Sequence, residues 1–81
     1  MEQNYPNPFN HQTNVQFHQP QNGTARFFVM DMTGRIVYQS SAYYPEGDHI
    51  ITFSNSVLAS GLYFYGIESG NERLMRKMVI R

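Results

Sequence analysis

Eighty-one residues with no net charge make one small domain, able to bury about 60–65% of the surface its unfolded chain exposes. A hydrophobic fraction of 41% supplies a core, 15% aromatic residues suit a small β protein, and the absence of cysteine removes disulfides and thiol chemistry. No apolar run approaches the ~20 residues of a membrane-spanning helix. The residues after Met1 are polar, with neither the basic nor the apolar region of a signal peptide.

Within the zero balance the charge is uneven. Residues 1–72 hold two bases against six acids, a net −4, and residues 73–81 add Arg73, Arg76, Lys77 and Arg81, a net +4. Such an asymmetry points to something the last segment meets, or to outward bases on a final strand beside an acidic neighbour.

In chain order, residues 1–4 read as the end of a linker and residues 5–81 as the domain. "YPNPFN" comes first. Pro6 and Pro8 fix their own φ and bias Tyr5 and Asn7 toward extended backbone. A type I turn over Asn7-Pro8-Phe9-Asn10 is predicted, with Tyr5 or Phe9 capping one end of the fold. "TNVQFH" alternates, setting Val15 and Phe17 on one face. Asn22-Gly23 then reads as a hairpin turn. "ARFFVMDM" is a strand with Ala25, Phe27 and Val29 on one face and Phe28, Met30 and Met32 on the other, a pattern for cover on both sides.

"TGR" turns that strand into "IVYQ", a hairpin signature. Asp31 is placed to accept backbone N–H groups of the turn, and Gly34 to supply its φ. After the turn cluster "YYPEGD", "HIITF" puts His49, Ile51 and Phe53 on one face. Leu58 is the one large apolar residue of the loop "SNSVLASG" suited to plug the core. "LYFYGIE" is a strongly β-prone strand that turns Tyr63 and Tyr65 the same way, inward. "SGNE" makes a last hairpin into "RLMRKMVIR". Six or seven short strands with glycine-containing turns make an antiparallel sandwich or small barrel.

The chemistry of an enzyme is missing from the inventory. His11, His18 and His49 are far apart and lack companions at metal-ligand spacing, so each reads as a strand-face or loop histidine. No nucleophile elbow occurs, and the acids other than Asp31 lie at or next to turns, where they solvate the chain. No catalytic residue, metal site or cofactor is expected. Aromatics beside a basic end invite a nucleic-acid reading, but zero net charge and no basic stripe outside the last nine residues oppose it.

Taken in order, these blocks resemble the C-terminal sorting domain, type A, of the bacterial type IX secretion system. "YPNPF" (Tyr5, Pro6, Asn7, Pro8, Phe9) followed by Thr13, Val15 and Phe17 opens the pattern. Val29, Asp31 and Gly34 with Arg35, Ile36 and Val37 match its D-x-x-G hairpin, and Gly47, His49, Ile51 and Phe53 its next strand. Leu58, Ser60, Gly61, Tyr63, Phe64 and Tyr65 match "L-x-S-G-x-Y-F-Y", and Arg76, Lys77, Met78, Val79, Ile80 and Arg81 the basic and hydrophobic ending. Phe53 stands where the family often has Trp, and Arg76 where Lys is commoner.

The resemblance implies an all-β fold, an immunoglobulin-like antiparallel sandwich of about seven short strands. It also implies a non-catalytic signal that directs a folded, N-terminally fused cargo from the periplasm through the outer-membrane translocon. The domain is then cleaved off by a surface protease of sortase type or used for surface attachment, and the chain is a piece of a longer exported protein. In that frame Arg76, Lys77, Met78, Val79, Ile80 and Arg81 are the expected recognition residues, the last strand offering fixed charges and an edge for strand addition. An open edge also allows homodimers by edge-strand pairing. The alternative is a spacer: related Ig-like modules serve as accessory parts of extracellular enzymes and of flagellar hook assembly proteins, without need of a basic end.

Overall fold

The structure is a computed structural model that describes all residues, 1–81. Six strands form in chain order: β1 (Gln12–Gln19), β2 (Gly23–Met30), β3 (Ile36–Tyr44), β4 (Gly47–Ser54), β5 (Gly61–Ser69) and β6 (Glu72–Ile80). No helix of the chain is long and apolar enough to cross a membrane. β1 and β4 pair as one antiparallel sheet, and β3-β2-β5-β6 form the second. The fold is the expected all-β sandwich. Residues 1–10 add a strap that bridges β1 through Tyr5 and β6 through Phe9, a seventh paired segment beside the six strands.

The period-2 pattern explains the two layers. On β1 the buried positions are Thr13, Val15, Phe17 and Gln19, alternating with exposed Asn14, Gln16 and His18. They face Ala25, Phe27 and Val29 of β2 and Tyr63, Tyr65 and Ile67 of β5, with Met78 and Ile80 of β6 completing the core. Its centre is aromatic. Phe53 lies edge-on to Phe9 and to Tyr38, with ring centroids 6.1 and 5.0 Å away, and Phe27 sits 5.9 Å from it. Leu58 is half-buried against this cluster, as expected, and Asn55 fixes its loop by bonding both the N–H and the C=O of Leu58.

Two hairpins form where the sequence places them. Gly34 takes φ +89° between β2 and β3, and Gly70 takes φ +60° between β5 and β6. Asp31 works as expected: its Oδ1 accepts the N–H of Thr33 (2.9 Å), the N–H of Arg35 (3.1 Å) and the hydroxyl of Thr33 (2.6 Å). The Asn22-Gly23 hairpin does not form. β1 and β2 belong to different sheets, so this loop crosses between layers; Gly23 opens β2, and Asn22 Oδ1 accepts the N–H of Glu46 in the β3–β4 loop, which also crosses between sheets (2.7 Å).

Phe28 is fully buried although it points to the outer face of the four-stranded sheet. Cover is confined to this one residue: Met30 is half-buried and Met32, beyond the strand, is exposed. The Phe28 ring lies over Gly66, where an added Cβ would come within 2.8 Å of Phe28 Cε1 and 2.9 Å of the Leu74 carbonyl. The guanidinium groups of Arg26 and Arg73 stack on the ring at 5.0 and 4.9 Å, and both pair with Glu68.

Candidate functional site

The residues with a sequence case for recognition converge on β6 and on the strap against it. Strand geometry splits the basic and hydrophobic ending between two faces. Met78 and Ile80 point into the core and are buried, at 0% and 2% exposure. Arg76 lies on that same side beyond the core, where its Nε donates to the Met1 carbonyl at 2.9 Å. Lys77 and Val79 point outward, paired across the strands with Phe64 and Leu62. Arg76 and Lys77, adjacent in sequence, therefore do not form one patch.

The backbone edge of this strand is occupied over residues 77–81. Asn7 Oδ1 accepts the Val79 N–H at 2.9 Å, the Phe9 N–H donates to the Val79 carbonyl at 3.1 Å, and the Arg81 N–H donates to the Phe9 carbonyl at 2.7 Å. Gln3 Nε2 donates to the Lys77 carbonyl at 2.7 Å. Strand addition to residues 77–81 is thus blocked by the chain's own N-terminal segment. This corrects the expectation of a free terminal edge.

The strap is held from the other sheet as well. Tyr5 and Asn14 exchange two backbone bonds of 2.9 Å, and the Glu2 N–H donates to the Gln16 carbonyl at 3.1 Å. The predicted turn over Asn7–Asn10 is not closed by a bond from the Asn10 N–H to the Asn7 carbonyl; Phe9 in its middle gives its N–H and C=O to β6. Of the two candidate caps, Phe9 is buried at 2% and Tyr5 is 79% exposed. Pro6 and Pro8 lie between them, exposed, and the Pro6 carbonyl accepts the Thr13 hydroxyl at 2.8 Å.

Asn4, which the sequence leaves in the linker, is buried at 2%. Its Nδ2 donates to Thr13 Oγ1 at 2.9 Å, and its backbone N–H donates to the Tyr65 hydroxyl at 2.8 Å. That hydroxyl donates in turn to the Glu2 carbonyl at 3.2 Å. Burial pushes the Tyr65 phenol above its usual range, against the Asn4 N–H and the Arg76 charge, which favour the phenolate. A polar asparagine among polar neighbours has no local mark of burial, so only the partners reveal it.

The remaining motif residues are structural supports. Tyr63 is buried and donates to the Ala59 carbonyl at 2.8 Å. His49 is half-buried, its Nε2 2.7 Å from the Pro45 carbonyl and its ring against Phe17 and Tyr44. Gly47 and Gly61 begin β4 and β5 at positive φ. No group of three or more His, Asp or Glu side chains is placed to hold a metal ion, and every buried side-chain nitrogen and oxygen has a partner.

What remains available on β6 is its outer face. Leu62, Met75 and Val79 are each more than a third exposed, and Met30 and Phe64 are half-buried beside them. Lys77 stands among these apolar side chains and takes part in none of the chain's four ion pairs. Sequence reading credited Lys77 and Val79 but passed over Leu62 and Met75, although strand alternation places all four on one side.

No curated protein matches the chain. The family model described as "Secretion system C-terminal sorting domain" matches residues 3–81, which takes in Asn4 and the strap as well as all six strands. The chain belongs to the family of type IX secretion system C-terminal sorting domains.

Proposed function

We propose that this domain is the address by which the outer-membrane translocon of the type IX system takes up a folded cargo fused to its N-terminus. The observation that carries the proposal is the family match over residues 3–81. Membership implies a secreted or cell-surface protein. In the fuller reading the domain crosses the periplasm with its cargo and a surface protease then removes it. The domain performs no catalysis; its residues build a shape and a charge pattern that a receptor reads. Arg76, Lys77, Met78, Val79, Ile80 and Arg81 supply the signal, Met78 and Ile80 by holding the strand in place and the others by what they present.

The test is a fluorescent protein fused to the N-terminus of residues 1–81 and expressed, with a signal peptide for inner-membrane export, in a bacterium that has this secretion system. Fluorescence in the medium or on the cell surface is expected, against retention in the periplasm for the fluorescent protein alone. Equal retention of both would refute the function.

A further inference from the structure

A strand at the end of a sandwich can be read through its backbone edge, its inner side chains or its outer side chains. Over residues 77–81 the first two are taken. The edge of residues 77–81 bonds to Gln3, Asn7 and Phe9. Met78 and Ile80 are core; Arg76, exposed just beyond them, has its Nε on the Met1 carbonyl and lies on the opposite side from Lys77. At residues 77–81 the outer face remains. There Leu62 opposes Val79 and Phe64 opposes Lys77, with Met30 beyond Phe64 and Met75 one pair along.

The electrostatics of this face have a sign. Arg26 and Arg73 are neutralised in part by Glu68, its one acid, which leaves the ammonium of Lys77 unpaired amid apolar side chains. The outer face of the other sheet differs: Asn14, Gln16, Thr52 and a His18–Asp48 pair surround one exposed apolar residue, Ile50.

We propose that the secretion machinery reads the outer face of the four-stranded sheet, through Met30, Leu62, Phe64, Met75 and Val79 set around Lys77. This rests on the sorting function proposed above. The occupant is a protein surface with an apolar patch and a carboxylate opposite Lys77, a pairing that fixes register as well as affinity. A second copy of this chain fits poorly, because two-fold pairing of these faces brings Lys77 near its own copy without an acid between.

The experiment uses the fluorescent fusion with Lys77→Glu, Lys77→Arg and Leu62→Asp on this face and Ile50→Glu on the outer face of β4. Exported fluorescence is expected to fall about ten-fold or more for Lys77→Glu and Leu62→Asp, with the fusion held in the periplasm. Ile50→Glu should export like the wild type, and Lys77→Arg, which keeps the charge, should export more than Lys77→Glu. Melting temperatures of the 81-residue chains within about 4 °C of one another establish that the variants are folded. If the wild-type fusion itself is retained, the sorting function fails and takes this proposal with it. If the wild type is exported and Lys77→Glu matches it, the sorting function stands and the face is wrong. Equal loss with Ile50→Glu, or a wild-type dimer on gel filtration that Leu62→Asp dissociates, would also overturn it.

Discussion

Phe9 and Tyr5 are two aromatics of one motif with opposite surroundings, and their truncation should separate them. Phe9→Ala removes a side chain packed on Phe53 and is expected to cost about 3 kcal/mol, lowering the melting temperature by about 12 °C or more. Tyr5→Ala should shift it little, since that ring is mostly in water. Gly66→Ala sets a methyl group against the Phe28 ring and the Leu74 carbonyl, an overpacking expected to cost about 1–3 kcal/mol in urea denaturation. At Asp31 the Thr33 hydroxyl is the chief force holding the carboxyl below its usual range. Backbone N–H groups of Arg35 and Thr33 and the Arg35 charge help it, against the opposing cost of burial. Because the folded pKa is depressed, the contribution is present above the ordinary carboxylate pKa and lost as pH falls through the folded value. The gap in melting temperature between wild type and Asp31→Ala should therefore hold steady from about pH 7 to 5 and close toward about pH 2.

At the scale of the elements, the strap competes with any outside strand for the edge of β6, and hydrogen exchange can watch it. Asn7→Ala removes the acceptor of the Val79 N–H, so that amide should exchange faster while the Phe28 and Tyr65 amides in the sheet interior keep their protection. Unchanged exchange at Val79 would mean that the edge is not held in solution. The strands and their inward faces were legible because alternation is local: Val15 and Phe17, Tyr63 and Tyr65 each report their own side. The turns at Gly34 and Gly70 were legible because a hairpin needs positive φ. The loop at Asn22-Gly23 uses the same residue types to cross between sheets, and which strand β1 pairs with is decided by Val15 meeting Ile51, 36 residues later. The partners of Gln3, of the Asn4 N–H and of Asn7 escape for the same reason, since they lie far along the chain. The split of Arg76 from Lys77 follows from alternation, although their adjacency in sequence makes them look like one basic pair.

Across the whole molecule, one side of the sandwich is laced shut by the strap between β1 and β6, while β3 and β4 keep unpaired outer edges on the other. Deleting residues 77–81 takes Met78 and Ile80 from the core and removes the strap's acceptors at Lys77 and Val79. Far-UV circular dichroism of that truncation should show loss of the β signal. Loss of secretion on truncation alone would confuse unfolding with lost recognition, which is why Lys77→Glu is the sharper probe. The strap also orders events in time. Met1 bonds Arg76, Gln3 bonds Lys77 and Asn7 bonds Val79, over separations of 75, 74 and 72 residues. Whether the chain is being translated or threaded across a membrane, its first residues arrive earliest and their partners almost last. A half-made domain has nothing for the strap to close upon. A receptor that accepted only the closed form would therefore pass over any domain interrupted before β6.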